Sequence, residues 1–325
     1  MIAHRGASGY RPEHTLAAYR LAAELGADYL EPDLVATLDC VLVARHENEM
    51  STTTDVADHP VFADRRITKI VGGTAVTGWF VEDFTYDELR TLRARERMPG
   101  LRASNTAYDG RERIPTFDEI VAVSREESAR QGRPIGVYPE LKHPTHFRRL
   151  GLPLEELLAE RLIALGLNSA DGQVLVQSFE PSSLRRLAVM TGVPLVQLVD
   201  DGGAPYDFIC TGDQRRYADL VTPHGLREIS TYAQIVGAHK ELVIPRRPDG
   251  CLGEPADLVG RARQAGLAVH AWSFRAEQRY LPAGLSLAAE LDRYAAAGVD
   301  AVFADQPDLA VDALRRHLTR RTARV

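Results

Sequence analysis

The chain has 325 residues, of which 45% are apolar and 26% charged, and carries a net charge of −6. That length and composition suit a globular protein with one large core. The acidic balance argues against nucleic acid as a partner, no apolar run reaches the length of an integral membrane segment, and three scattered cysteines (Cys40, Cys210, Cys251) form neither a zinc motif nor a disulfide framework. The arginines of the last eleven residues read as a solvated helix end. The chain as it stands is compatible with cytoplasmic residence, and with secreted or periplasmic residence if a leader has been removed. The oligomeric state is left open.

In chain order, Ile2–Ala3 reads as a strand that delivers His4 and Arg5 to a turn, and residues 14–25 have helical period with Gly26 as the stop. "DYLEPDLV" and "VLVARH" follow as strands, separated by only residues 36–40. A parallel crossover needs a dozen residues or more, so these two should form an antiparallel hairpin. A turn centred between Asp39 and Cys40 would set Asp33 opposite His46, with Glu31 on the same face. Residues 47–115 read as an insertion, a lid or subdomain of the single domain 1–325, with Trp79, Phe80 and Phe84 either in a local core or near a ligand. Beyond it, "IGVYPELK", "VLVQSF", "PLVQLV", "ADLVTP", "LAVHAWSF" and "DAVFAD" read as buried strands. Helical segments lie at 116–129, 154–166, 181–190, 255–265, 286–297 and 307–319. This alternation predicts an α/β fold, a TIM (β/α)8-type barrel with a hairpin irregularity at its second strand.

Polar residues at the strand ends carry the chemistry. Glu31 and Asp33 share a face of one strand, and Glu140 and Lys142 a face of another. Three carboxylates on apolar strands suit a hard divalent cation, Ca²⁺ or Mg²⁺, and would be costly unpaired. His4 and His46 each end a short apolar strand and form a plausible acid and base. With Arg5, Lys142 and a cation to neutralise phosphoryl oxygens, this is the set that phosphodiester hydrolysis needs; a metal-bearing barrel acting on sugars is also compatible with it. His14, His143, His146, His224, His239 and His270 lack such a context and read as structural.

The segments "HRGASGYRPEHT", "GADYLEPDLVAT", "VLVARHENEMSTTTDVAD", "YPELK", "VQSFE", "HAWSFR" and "GVDAVFADQPD" together resemble the glycerophosphodiester phosphodiesterase family, in order, from residue 2 to about 310. The run after His46 resembles its longer, periplasmic-type members. The resemblance implies a TIM barrel, one divalent cation with Ca²⁺ favoured and Mg²⁺ the alternative, and cleavage of a small-molecule glycerophosphodiester to glycerol 3-phosphate and an alcohol. It implies His4 and His46 as the acid/base pair, Glu31, Asp33 and Glu140 as metal ligands, and Arg5 and Lys142 at the phosphate. Gln177, Phe179 and Trp272 match pocket positions, the two aromatics either covering the glycerol carbons or packing the barrel top. Glu13 is expected to fix the loop after the first strand, and Asp305 to close the barrel end. Many members have Asp where this chain has Glu47, which is left without a role, and Pro32 interrupts the ladder between two metal-ligand positions. The alternatives are a related phospholipase D-type enzyme on lysophospholipids and a catalytically silent phosphodiester-binding protein.

Overall fold

In the computed structural model, which describes residues 1–171 and 173–322 with side chains to position 320, a ring of parallel strands encloses the centre of the molecule. β1 (Ile2–His4) pairs with β2 (Tyr29–Glu31), and the ladder resumes after Pro32 as β3 (Asp33–Ala36). β4 (Leu42–Ala44) is antiparallel to β3, and β5 (Ile67–Val71) with β6 (Thr74–Gly78) forms a separate hairpin. The third barrel strand is again in two pieces, β7 (Gly136–Val137) and β8 (Glu140–Leu141), broken near Pro139. Then come β9 (Val176–Ser178), β10 (Leu195–Val199), β11 (Ile235–His239), β12 (Ala268–Phe274) and β13 (Ala301–Ala304), which pairs back onto β1. The sheet order is β4-β3-β8-β9-β10-β11-β12-β13-β1-β2-β7, with β2–β7 and β3–β8 contacts completing the circle. Counting each broken strand once and leaving β4 aside gives eight positions, a TIM-type barrel.

Proline explains both breaks. It has no N–H to give the ladder, but its carbonyl still accepts: Glu140 N–H donates to Pro32 O at 2.8 Å, and Gln177 N–H to Pro139 O at 2.9 Å. The interruption that Pro32 introduces is therefore one residue long. The hairpin forms, but its register is one residue from that expected. Leu34 faces Ala44 and Val35 faces Val43, and Arg45 N–H donates to Asp33 O at 2.9 Å. Arg45, not His46, therefore stands opposite Asp33. The turn centres on Asp39 itself because Cys40 takes a left-handed conformation (φ 64°), adding a residue to the bend. "ADLVTP" is also corrected. Tyr217–Leu220 is a short helix, and the strand of that repeat is Ile235–His239. "ADLV" has apolar character without alternation, which does not separate a short helix from a buried strand.

Two cores result. The larger lies between the ring and its surrounding helices. The smaller fills the barrel interior with Ile2, Tyr138, Leu175, Val196, Ile235 and Phe303. Tyr138 packs edge-on against Phe303 at 5.1 Å and its O–H donates to His270 Nδ1 at 2.9 Å. This plug closes the barrel beneath the strand ends, so the polar residues there have a dry floor. Within the insertion, Phe62, Trp79, Phe80 and Phe84 are buried: Trp79 Nε1–H donates to Phe62 O at 2.6 Å and Phe62 packs edge-on to Phe84 at 5.0 Å. The insertion's aromatics make a local core.

Candidate active site

At the C-terminal ends of the barrel strands a cavity of about 120 Å³ is lined by His4, Arg5, Glu31, His46, Glu140, Lys142, Gln177, Phe179 and Trp272, among others. Every expected site residue except Asp33 lines it, and Asp33 lies directly behind, within 4.8 Å of Glu31 and Glu140 measured between potential ligand oxygens. Strand pairing alone achieves much of this: β1–β2 register puts His4 beside Glu31, β3–β8 puts Asp33 beside Glu140, and β8–β9 puts Glu140 beside Gln177.

Arg5 follows β1 with φ 60°, an uncommon left-handed conformation for a residue with a side chain. The turn aims its N–H at Glu31 Oε2 (2.8 Å) and its guanidinium at Glu13 Oε2 (3.0 Å) and Asp33 Oδ2 (3.3 Å). Gly6 continues the turn, and a Cβ there would meet the Ala18 backbone at 2.8 Å. Lys142 Nζ donates to Glu140 Oε1 at 2.8 Å and lies 3.5 Å from Asp33 Oδ1. Gln177 Nε2–H donates to Glu31 Oε1 at 3.1 Å, while its own Oε1 is buried without a partner among the described residues.

The two imidazoles are held alike. His4 Nδ1–H donates to Asp305 Oδ1 at 2.7 Å, and His46 Nδ1–H to Glu47 Oε1 at 2.5 Å. With a carboxylate holding each Nδ1 proton, each Nε2 is left for chemistry. Burial, and then the Arg5 charge, lowers His4 to about 4; burial with Arg5 and Lys142 lowers His46 to about 3. The carboxylates behind them are themselves braced by the insertion. Arg102 reaches Asp305 at 2.5 Å, and Arg97 reaches Glu47 at 2.6 Å and Glu13 at 2.5 Å.

The whole constellation sits inside a segment that known proteins share. Residues 4–309 match the glycerophosphoryl diester phosphodiesterase family model. The chain belongs to that family. It is 34% identical to a glycerophosphodiester phosphodiesterase of Arabidopsis thaliana over 86% of this chain and 75% of that one, and 28% identical to one from Haemophilus influenzae over 97% and 89%. Its fold is shared with an Oleispira antarctica phosphodiesterase, solved in complex with the product sn-glycerol-3-phosphate, at a TM-score of 0.63, 22% identity and coverage of 97% and 96%. This family member is accordingly an enzyme, a phosphoric diester hydrolase, on a TIM-type barrel.

The acidic trio fits the divalent cation that the family implies. Glu31, Asp33 and Glu140 are buried together. Burial, with repulsion from Asp33 and Glu140, drives Glu31 well above the usual carboxylate range, and burial first of all pushes Glu140 up to about 8. Asp33 stays well below that range because Lys142, His46, His14 and Arg5 outweigh its burial. Without a cation Glu31 and Glu140 are therefore driven toward their protonated forms, whereas three hard oxygens at this spacing suit a dication.

Three supporting residues escape a reading of the sequence. His14, which looks structural, is buried with φ 54°; its Nε2–H donates to Asp33 Oδ2 at 2.9 Å and its Nδ1 accepts from Tyr19 O–H at 2.8 Å. Its adjacency to Glu13 in "PEHT" was the available signal, since the loop that returns Glu13 to Arg5 must return His14 as well. Arg97 and Arg102 had no such signal, because each acts on partners far away in the chain, Arg97 on Glu13 and Glu47 and Arg102 on Asp305. His46 also differs from expectation: its nearest carboxylate is Glu47, not Asp33, as the shifted hairpin register requires.

Proposed function

We propose that this chain hydrolyses glycerophosphodiesters to glycerol 3-phosphate and an alcohol, with His4 and His46 as the acid/base pair and Glu31, Asp33 and Glu140 as ligands of one divalent cation. The observation that carries the reading is the pair of imidazoles, each anchored at Nδ1 by its own carboxylate, on one cavity with Glu31 and Glu140, and Asp33 close behind them. The Oleispira antarctica relative's complex with sn-glycerol-3-phosphate supports the product assignment. All-oxygen ligation by carboxylates suits Ca²⁺ or Mg²⁺, and the resemblance to the family's longer members favours Ca²⁺. When bound, the cation supplies Lewis acidity to the phosphoryl oxygen and to a neighbouring hydroxyl.

The residues then divide the work. Arg5 and Lys142 offset the phosphodiester charge. One histidine Nε2 takes the proton of the glycerol hydroxyl on the carbon adjacent to the phosphorylated carbon. The hydroxyl oxygen attacks phosphorus, the bond to the alcohol breaks, and the second histidine, entering the step as the imidazolium, protonates the departing oxygen from Nε2–H. Water opens the resulting cyclic phosphate with the two roles reversed. A tethered hydroxyl is favoured over water because effective molarities of intramolecular nucleophiles reach about 10⁵ M or more. His46 is the first base in this scheme, with Glu47 stabilising the imidazolium that forms. Phe179 and Trp272 cover the carbon face of the substrate, and residues 47–115 serve one catalytic domain, 1–325, as its lid and brace.

The test is release of glycerol 3-phosphate from glycerophosphocholine by the wild type, His4→Ala and His46→Ala. Each substitution should cost about 10² to 10⁴ in rate, the range of a positioned acid or base. Wild-type turnover surviving in both variants would refute the assignment.

A further inference from the structure

A larger cavity, of about 400 Å³, adjoins the first across a wall formed by His46, Glu140, Lys142, Phe179 and Trp272. Nothing in the reaction just described uses its far side, which is built from aromatic rings and carboxylates. Tyr217 meets Phe179 edge-on (centroids 6.0 Å, planes at 74°), and Phe179 meets Trp272 edge-on (5.5 Å, 86°). Rings set at right angles make a corner with π faces on more than one side. Trp272 is fixed in place, since its Nε1–H donates to Gly237 O at 2.9 Å.

The charges of this cavity are unevenly placed. Its one lysine or arginine, Lys142, lies at the reactive end and is already paired with Glu140 and Asp33. At the other end stand Glu180 and Asp200. Glu180 is committed, accepting from Thr145 N–H at 3.1 Å and from the Thr145 hydroxyl. Asp200 has no lysine or arginine partner among the described residues. Its Oδ1 accepts its neighbour Asp201's N–H at 2.8 Å, and it clusters with Asp201 and His239, whose own ion pair spans 3.4 Å. An aromatic corner beside a carboxylate that no lysine or arginine neutralises is an environment for a desolvated ammonium ion.

Resting on the hydrolytic reading above, we propose that this second cavity seats the departing alcohol and selects alcohols bearing an ammonium or quaternary ammonium group over neutral ones of the same shape, with Phe179, Tyr217 and Trp272 as the cation-facing rings and Asp200 as the counter-charge. Choline and its carbon isostere 3,3-dimethylbutanol differ at this end only in charge, and so form the diagnostic pair. As inhibitors of wild-type hydrolysis of glycerophosphoglycerol, whose leaving alcohol is neutral, choline should bind about tenfold more tightly than the isostere. With the two glycerophosphoryl esters as substrates, the choline-to-dimethylbutyl ratio of kcat/KM should fall about tenfold in Asp200→Asn and be retained in Asp200→Glu. The intrinsic reactivity of each ester is common to all the proteins, so a change in ratio reports the cavity. Equal inhibition by the two alcohols, or an unchanged ratio in Asp200→Asn, overturns the proposal. Failure of the wild type to cleave any of the three esters overturns the hydrolytic reading, and this one with it.

Discussion

Each imidazole at the barrel mouth is held through Nδ1, and the carboxylate that holds it is held in turn by arginines: His4 by Asp305 with Arg102 and Arg275, His46 by Glu47 with Arg97. Asp305→Asn offers an amide where His4 needs an acceptor-only group, so the tautomer that presents Nε2 as a base loses its anchor. We expect kcat to fall about 10²-fold or more with KM little changed. Glu47→Gln should cost less, because Glu47 is part-exposed whereas Asp305 is buried. Steady-state kinetics of the two variants measure this, and equal, small losses would argue against both anchors. The metal trio gives a second expectation. In Glu31→Gln, saturating Ca²⁺ should no longer raise the melting temperature, whereas a wild-type site at a hundredfold excess over Kd gains about 2.7 kcal/mol; calorimetry with and without chelator compares them. At this scale the sequence was most legible where type and spacing carried the message: Glu31 with Asp33, Glu140 with Lys142. It was least legible where a residue acts through another, as His14 does on Asp33, because such a role depends on a contact that composition does not encode.

Strands place these residues, and their irregularities are informative. Pro32 and Pro139 divide neighbouring barrel strands at the level where side chains begin to face the site, and strand pairing continues on either side. The hairpin that carries His46 bends at Cys40 in a left-handed conformation, which is costly for any residue with a Cβ. Cys40→Gly should therefore stabilise the protein by about 1 kcal/mol or less, the strain relieved being partly offset by the freer unfolded chain. Urea unfolding would show it, and destabilisation would mean that the exposed Cys40 side chain contributes more than it strains. The one-residue register difference has the same origin, since turn chemistry sets hairpin register and a cysteine gives no warning of positive φ. The strand Ile235–His239 escaped notice for another reason: "IVGAH" is short and contains a glycine, while the competing "ADLV" satisfied the same apolar criterion.

Across the whole molecule, the barrel provides a dry floor and the insertion provides cations. Arg97 and Arg102 carry charge from residues 47–115 to the groups that hold both histidines, so this segment is coupled to the site by ion pairs. The interior plug makes a prediction about pH. His270 is buried beneath the site and lowered to about 4, chiefly by burial. Its unfolded value is about 6.5. The unfolded chain therefore takes up a proton that the folded one refuses, and stability falls as pH drops from about 6.5 towards 4, by up to about 3 kcal/mol for this residue. His4, His46 and His143, all lowered, act in the same direction. In His270→Asn the dependence of unfolding free energy on pH over that window should be shallower than in the wild type, and an unchanged slope would place the acid sensitivity elsewhere. The barrel class was legible because strand–helix alternation is a property of the whole chain. The coupling of the insertion to the site was not, because ion pairs between distant segments leave no period in the sequence. The central claim is that the substrate's own hydroxyl attacks phosphorus between His4 and His46, and one comparison tests it most directly. Glycerophosphocholine and its analogue lacking the hydroxyl next to the phosphorylated carbon are presented to the same metal-loaded enzyme, and choline release is timed. The account predicts that the deoxy compound binds but is cleaved at least about 10²-fold more slowly; equal rates would show that water attacks directly and would contradict it.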